Sequence, residues 1–302
     1  MHKNFALALG VAAVGAAIAV ARVRRGPETP ELIMGTFPNG MGYARLGTGP
    51  KSLLWIPDPG HTGHRGTYLK LMTRMLRPFV GDGYTVFLVG QKPNLPNGCT
   101  VADMAEDYAG LIVDEFGGKV DVVVGDSSGG LIGFCLAARH PDLFGHVSII
   151  AAGHTMTLAA RAANLESAHL RSAGRKTDAA TVMVNFLYPD IRAPWVKCLL
   201  AAVVARVSFP AAFDPSDVLI AAEAVDAFDG RAILPTIPVP VLLVFGDRDR
   251  FVAKELYEQT ADLIPDCTVK RYEGKDHLGT MFDKRLPRDV LEFVRRPRAL
   301  QH

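Results

Sequence analysis

Short apolar runs alternate with amphipathic segments along most of this chain. Runs with the length and flanking turns of β-strands occur at 51–57, 84–90, 120–124, 146–152, 240–245 and 267–272. Between most of them, apolar residues recur at helical spacing, as in 65–79, 100–116, 253–263 and 286–294. Strands that alternate with helices predict right-handed crossovers and a mainly parallel sheet, with ligands beyond the carboxyl ends of the strands. The pattern therefore predicts an α/β protein whose central sheet is flanked by helices.

Two further segments complete this picture. Residues 32–37 and 42–46 flank Pro38-Asn39-Gly40, and the Asn-Gly pair predicts a β-hairpin ahead of the parallel strands. From about residue 154 to about residue 236 the alternation stops, and four helical segments follow one another between prolines. We expect a helical insertion there. Its many Ala, Leu, Val and Phe residues either line an apolar pocket or only pack the insertion onto the core.

The N-terminal segment has a different character. Residues 5–21 are uncharged and rich in alanine, and Arg22, Arg24 and Arg25 follow them. We interpret residues 1–25 as a membrane anchor that leaves the rest of the chain in the cytoplasm, because arginines favour the cytoplasmic flank. The alternative is a cleaved signal peptide with Ala19-Val20-Ala21 as its cleavage site, and then the protein is secreted. Residues 26–30 read as a linker, so residues 26–302 form the predicted globular domain.

Composition narrows the possible functions. The 302 residues are 49% hydrophobic and 21% charged, with a net charge of +2, which fits a globular core and gives no indication of a nucleic-acid surface. The four cysteines lack metal-ligand or disulfide spacing. His61 and His64 lie near Asp58, but no matching ligand cluster accompanies them, so we expect no metal. The absence of a glycine-rich phosphate loop after the first strand predicts no bound cofactor. A small-molecule substrate is the expected partner, and the sequence leaves the oligomeric state open.

The candidate chemistry lies at the end of the strand that begins at Val120. Gly125 and Gly129 flank Ser127 in a G-x-S-x-G pattern, where the apolar strand changes into an apolar helix. Glycines allow strand and helix to approach through a sharp turn that exposes the serine. Ser127 is therefore the predicted nucleophile. Ser128 lacks this flanking pattern.

In this strand–serine–helix arrangement the chain resembles the α/β-hydrolase superfamily, and the resemblance runs from about Leu32 to Val294. It implies an α/β-hydrolase fold in which the insertion at 154–236 is a lid. It also implies an acid after the strand at 240–245 and a histidine after the last strand, in the chain order Ser, Asp, His. Asp249 matches the acid in the G-x-x-D pattern that begins at Gly246, whereas Asp247 fits a turn residue. His277 is the predicted base.

The same resemblance implies two backbone N–H groups that bind an oxyanion. The N–H of Ser128 is one expected donor, at the start of the helix that follows Ser127. The other comes from the loop after the strand at 51–57, where Pro59 has no N–H and either Gly60 or His61 is the candidate.

These residues predict a serine hydrolase that cleaves carboxylic esters of apolar substrates through an acyl-enzyme. An acyltransferase on the same fold is the enzymatic alternative. A ligand-binding protein without catalysis is the alternative from another class, because fold alone does not decide function.

Overall fold

A computed structural model describes residues 31–58, 67–208 and 214–295 of the chain. The strands in this part are β1 (Leu32–Thr36), β2 (Gly42–Leu46), β3 (Lys51–Ile56), β4 (Tyr84–Val89), β5 (Val120–Asp126), β6 (Phe144–Ile150), β7 (Val241–Gly246) and β8 (Cys267–Tyr272). The helices are α1 (Thr67–Gly81), α2 (Val101–Glu115), α3 (Ser128–Arg139), α4 (Leu158–Ser172), α5 (Lys176–Leu187), α6 (Pro194–Ser208), α7 (Pro215–Ala227), α8 (Lys254–Leu263), α9 (His277–Met281) and α10 (Leu286–Val294). The predicted alternation of strands and helices is confirmed.

The strands form one eight-stranded sheet in the order β1-β2-β4-β3-β5-β6-β7-β8. The β1–β2 and β2–β4 pairs are antiparallel, and every later pair is parallel. The predicted mainly parallel sheet is therefore confirmed, with the N-terminal hairpin as its antiparallel edge. Strand β5 lies at the centre, so the residue that follows it emerges in the middle of the carboxyl edge of the sheet.

Alternating side chains of the strands divide the core into two layers. On β5, Val123 packs into the layer that includes residues of α2, α3 and α7, whereas Val122 and Val124 pack into the layer beneath α1 and α10. Strands that are buried on both faces need continuous apolar runs, which is the pattern of β5 and β7 in the sequence. The helices therefore cover the sheet from both sides and fix its position relative to the loops at its carboxyl edge.

Helices α4 to α7 follow one another between β6 and β7, and we call residues 158–227 the helical insertion. Two short 3-10 turns, Gly230–Ala232 and Leu234–Thr236, then lead into β7. A buried carboxylate ties the insertion to the core. Asp217, in the first turn of α7, accepts the N–H groups of Asn94 (2.9 Å) and Leu95 (2.8 Å) from the loop after β4.

The expected membrane-spanning helix requires a correction. Among the residues that the structure describes, no helix is both long and apolar enough to cross a bilayer. The transmembrane helix predicted from the sequence is therefore not supported by the part of the chain that the structure describes. Residues 5–21, to which the sequence pattern assigned the helix, lie outside the described residues.

The Asp217 contact generates a test of stability. Replacing Asp217, which is only 1% exposed, by alanine removes the acceptor of two backbone N–H groups. Because buried donors without partners are costly, we expect Asp217→Ala to lower the free energy of unfolding by about 3 kcal/mol. Urea denaturation measures this free energy. Asp178→Ala is the control, since Asp178 forms an exposed pair with Arg175 and should change stability by only about 0.5 kcal/mol. Equal effects of the two substitutions would contradict the assignment.

Candidate active site

Ser127 occupies the sharp turn between β5 and α3. Its backbone has φ 51° and ψ −124°, a strained conformation for a residue with a β-carbon. Two backbone hydrogen bonds hold the turn. The N–H of Ser127 donates to the carbonyl of Ile150 (2.8 Å), and the N–H of Gly130 donates to the carbonyl of Ser127 (2.9 Å). The neighbouring strand β6 thereby fixes the serine above the centre of the sheet.

The glycines on either side of the serine allow three backbone segments to meet. A β-carbon on Gly125 would lie 2.5 Å from the carbonyl oxygen of Gly129, and one on Gly129 would lie 2.2 Å from that of Ile56. Both distances are far below van der Waals contact, and the opposing atoms belong to the backbone, which cannot rotate away. Glycine at these two positions is therefore a steric requirement of the close approach between β3, β5 and α3.

The structure brings Ser127, His277 and Asp249 into one hydrogen-bonded chain. The Oγ of Ser127 lies 3.0 Å from Nε2 of His277, and Nδ1 of His277 lies 2.7 Å from Oδ2 of Asp249. The three residues follow β5, β7 and β8, so the parallel sheet collects them at its carboxyl edge. His277 begins the short helix α9, whereas the sequence pattern placed it in a loop. The N-cap of α9, Asp276, accepts the N–H of Gly279 (2.7 Å) and holds this turn.

Three donors orient the carboxylate of Asp249 in addition to the imidazole. Its Oδ1 accepts the backbone N–H of Phe251 (2.8 Å), with a longer contact to that of Val252 (3.4 Å). Its Oδ2 accepts the hydroxyl of Tyr257 (2.7 Å), which extends from α8. Burial and the charge of Asp249 raise the pKa of Tyr257 well above 10, so its hydroxyl remains a donor. Asp249 is thus held as an acceptor-only anion facing the imidazole.

Surrounding charges set the protonation of His277, which is 5% exposed. Burial alone would lower its pKa, but the charge and hydrogen bond of Asp249, together with the charges of Asp58 and Asp126, raise its pKa above the ordinary 6.5. The ring of Phe251 lies 4.5 Å from that of His277 and covers one side of it. The imidazole is therefore a buried base whose protonated form the acidic surroundings stabilise.

Two further carboxylates, those of Asp126 and Asp58, lie close to Ser127 along the chain or through Ser128. Asp126 accepts the indole N–H of Trp55 (2.5 Å) and the backbone N–H of Asp58 (3.2 Å). The side chain of Asp58 accepts the hydroxyl of Ser128 (3.1 Å). These bonds join the end of β3 to the start of α3, so the loop that leaves β3 begins at a fixed place beside Ser127.

The helical insertion contributes an aromatic wall to the site. Phe186 of α5 packs edge-on against Phe251, with ring centroids 5.1 Å apart, and Phe251 contacts His277. The insertion is tied to the same loop, because Thr157, the N-cap of α4, donates its N–H to the carbonyl of Phe251 (2.9 Å) and its hydroxyl to that of Arg250 (3.1 Å). An apolar surface therefore leads from the insertion to the imidazole.

The predicted site residues have different outcomes. Ser127, Asp249 and His277 lie in contact, and their catalytic roles stay predictions. Ser128 is the first residue of α3, where a backbone N–H is not used by the helix. Gly60 and His61 lie outside the described residues. Asp247 accepts the N–H of Gly274 (2.6 Å), in keeping with a turn residue.

Three residues of the site had no assigned role from the sequence pattern. They are Asp58, Asp126 and Tyr257. Asp126 carried a signal that could have found it, since a carboxylate at the end of an apolar, buried strand needs partners. Tyr257 occupies a helical position that only the fold brings toward the site. Among the described residues, no group of three His, Cys, Asp or Glu side chains is arranged to hold a metal ion.

Comparisons with known proteins agree with this architecture. The sequence model of the family described as alpha/beta hydrolase fold matches residues 78–284. A curated relative named "Putative carbamate hydrolase RutD", from Stutzerimonas stutzeri, is 25% identical over 265 residues, which are 86% of this chain and 89% of that protein.

Two solved structures share the fold. A hydrolase from Pseudomonas aeruginosa PA01 has a TM-score of 0.67 at 20% identity, covering 89% of this chain and 100% of its own. The enol-lactonase from Burkholderia xenovorans LB400 has a TM-score of 0.67 at 18% identity, covering 87% of this chain and 100% of its own. At such identities the likeness establishes the fold alone.

The crowding around Gly129 predicts that alanine destabilises the protein there but not at an uncrowded glycine. We expect Gly129→Ala to separate β3 from α3 and to destabilise the protein by several kcal/mol, about 3 or more, since backbone must move. Gly110→Ala is the matched control, because a β-carbon on Gly110 meets nothing within 4 Å in helix α2. That change should stabilise the protein by about 0.5 to 1 kcal/mol. Thermal unfolding of both variants measures this, and a tolerated Gly129→Ala would refute the steric requirement.

Two buried histidines should titrate on opposite sides of 6.5. The pKa of His277 is raised, whereas burial lowers that of His154. As the pH falls, His277 therefore takes up its proton first. Histidine NMR titration measures both values. In Asp249→Asn the pKa of His277 should fall, because a charge that favours the imidazolium is lost while burial remains. An unchanged value in Asp249→Asn would show that Asp249 does not control the imidazole.

Proposed function

The chain belongs to the alpha/beta hydrolase fold family, and from this premise we propose that it is a serine hydrolase that cleaves carboxylic esters of apolar substrates. The family match and the curated carbamate hydrolase relative support hydrolysis as the class of reaction. The observation that carries the serine mechanism is the hydrogen-bonded chain from Ser127 through His277 to Asp249.

In this proposal His277 acts as the general base. Nε2 accepts the proton of the Ser127 hydroxyl while Oγ attacks the carbonyl carbon, so the C–O bond to Ser127 forms and the carbonyl electron pair moves to its oxygen. The imidazolium then gives the proton to the leaving alkoxide as the tetrahedral species collapses. Water, deprotonated by the same nitrogen, then attacks the acyl carbon, and the imidazolium returns that proton to Oγ of Ser127 as the bond to the acid breaks. Asp249 holds the imidazole in the tautomer that this sequence requires.

The N-terminus of α3 supports binding of the oxyanion. The backbone N–H of Ser128 is free of intrahelical bonding at this position, and the helix dipole favours negative charge there. Removing one such donor costs about 3 kcal/mol of barrier in a serine protease. The predicted second donor, on Gly60 or His61, completes the proposed oxyanion hole.

The aromatic surface beside His277 favours an apolar group on the substrate. Phe251 contacts the imidazole and Phe186 continues this surface into the helical insertion. We propose that the insertion, predicted to span residues 154–236, acts as a lid over Ser127 and shapes the pocket for that group.

Carbamate hydrolysis is the second candidate, and the name of the curated relative favours it. An ester and a carbamate differ in the atom attached to the carbonyl carbon. The attack by Ser127 and the proton transfer by His277 are the same for both. The substrate screen below therefore includes both classes.

Labelling by a fluorophosphonate tests the nucleophile without knowledge of the substrate. We expect the wild-type protein to be labelled and Ser127→Ala to be inert, because only an activated serine reacts at a useful rate. Ser128→Ala is the matched control. It removes the neighbouring hydroxyl but keeps the backbone N–H, so it should still be labelled. Labelling that persists in Ser127→Ala would overturn the proposed nucleophile.

Turnover of a panel then tests the substrate class. We expect p-nitrophenyl esters with short to medium acyl chains to be hydrolysed, and Ser127→Ala to lower kcat by up to about 10⁶-fold. N-substituted p-nitrophenyl carbamates at matched chain length test the second candidate. Product analysis with added alcohols or thiols would identify acyl transfer instead. Labelling without turnover of any acyl substrate would contradict the ester proposal, and stoichiometric ligand binding without labelling would indicate a non-catalytic protein.

A further inference from the structure

One oxygen of the Asp249 carboxylate serves two partners. Its Oδ2 lies 2.7 Å from Nδ1 of His277 and also accepts the hydroxyl of Tyr257 at 2.7 Å. The other oxygen, Oδ1, accepts backbone N–H groups from the loop that follows Asp249. A carboxylate offers about four lone-pair sites, and these donors occupy them. The imidazole and the phenol therefore share the negative charge of a single atom.

The surroundings of Tyr257 hold its hydroxyl in this place. Tyr257 lies in the first turn of α8 and is 0% exposed. Its N–H donates to the carbonyl of Ala253 (3.1 Å), and its ring stacks on that of Phe245 with the centroids 4.5 Å apart. The side chain of Asp249 is also 0% exposed, so bulk water does not compete with the phenol for Oδ2. The hydrogen bond is therefore a fixed part of the site.

Packing alone gives little reason for a hydroxyl at this position. A phenylalanine would fill the same space and stack on Phe245 in the same way, without the cost of taking a hydroxyl out of water. Without the phenol, Asp249 would still bind the imidazole through Oδ2 and the backbone through Oδ1. A donor on the oxygen that faces the base instead affects the charge that the base experiences.

The base lies among several negative charges. Burial alone would lower the pKa of His277, but Asp249, Asp58 and Asp126 raise it. A histidine whose pKa rises too far is already protonated at neutral pH, and it then cannot accept the proton of a serine. A donor on Oδ2 of Asp249 opposes this rise. The positive end of its O–H dipole lies beside the imidazole and offsets part of the carboxylate charge.

We propose that Tyr257 is a positioning residue that acts on His277 through Asp249: its hydroxyl offsets part of the charge on Oδ2, so that the imidazole remains a proton acceptor in spite of the surrounding carboxylates. The inference rests on the proposed serine-hydrolase function. It assigns α8 a part in setting the pH range of the reaction.

The pH effect must be read against the other charged groups near these residues. The carboxylates around the imidazole are Asp249 after β7, Asp126 in β5, Asp58 after β3, and Asp276 at the N-cap of α9. Arg248 and Arg250 flank Asp249 in sequence. On α8, Lys254 and Glu258 pair with each other at the surface. Tyr257→Phe alters none of these charges, so a changed titration of His277 reports the lost hydroxyl.

The pH profile of kcat/KM tests the proposal on an ester that wild type hydrolyses. In Tyr257→Phe we expect the acid limb to move to higher pH, because Oδ2 then holds the imidazolium more strongly. On that limb kcat/KM should fall about 10-fold, as expected for one hydrogen bond to a charged group. On the alkaline plateau, where the imidazole is neutral in both proteins, it should stay within about 3-fold of wild type. NMR titration of His277 should shift in the same direction.

Tyr272→Phe is the matched control. The hydroxyl of Tyr272 donates to Oδ2 of Asp289, also at 2.7 Å, and Tyr272 is 2% exposed. The control therefore loses the same kind of buried hydrogen bond, but one that joins β8 to α10. It should lower the midpoint of thermal unfolding about as much as Tyr257→Phe and leave the pH profile unchanged. Equal losses of activity in both variants at every pH would indicate an effect of stability and would overturn the proposal.

A double variant tests whether the effect passes through Asp249. In Asp249→Asn the hydroxyl of Tyr257 no longer has a carboxylate charge to offset, so adding Tyr257→Phe should leave the NMR titration of His277 unchanged. NMR serves here because the corresponding change lowers turnover about 10⁴-fold in a serine protease. A shift as large as that of Tyr257→Phe alone would refute action through Asp249.

The outcomes separate this inference from the function on which it rests. If wild type neither reacts with a fluorophosphonate nor turns over an acyl substrate, the proposed function fails, and the NMR titrations still decide whether Tyr257 acts on His277. If wild type does both and Tyr257→Phe keeps the wild-type pH profile, the role of Tyr257 alone is refuted. An acid limb that moves to lower pH also refutes it. An acid limb that moves to higher pH in Tyr257→Phe but not in Tyr272→Phe supports it.

Discussion

The close approach of three backbones at Ser127 is the constraint on which the rest of this structure depends. Strand β3, strand β5 and helix α3 meet where Gly129 lies against the carbonyl of Ile56 and Gly125 against that of Gly129. This contact forces Ser127 into its positive-φ conformation and aims its hydroxyl out of the sheet. It also sets Asp58 beside Ser128, because both residues leave the same crowded junction. A β-carbon at either glycine would disturb all of these positions together.

Negative charge is the second common feature of the site. Asp249, Asp126 and Asp58 act on one imidazole, and each accepts hydrogen bonds that orient its carboxylate. Such an arrangement favours the imidazolium that forms when a serine gives up its proton, but it disfavours a new anion nearby.

The insertion therefore has more than one link to the site. Asp217 binds the loop after β4, Thr157 binds the loop that holds Asp249, and Phe186 reaches the wall beside His277 through Phe251. These contacts involve backbone groups or half-buried aromatic rings, which leave little freedom for independent movement of the parts they join. The described contacts make the insertion a part of the site's construction, and its action as a lid is our proposal.

The local chemistry of the sequence by itself determined the fold class and the sharp turn at Ser127. Continuous apolar runs indicate a sheet that is buried on both faces, and the G-x-S-x-G pattern at 125–129 indicates a tight turn. Both signals depend only on residues that are neighbours along the chain. The distances among Ser127, Asp249 and His277 depended on the register of β5, β7 and β8. The partners of Asp126, and the His277 and Tyr257 partners of Asp249, were decided by the tertiary structure alone. Tyr257 has an ordinary helical position in sequence, and only the packing of α8 against β7 and β8 brings its hydroxyl to Asp249.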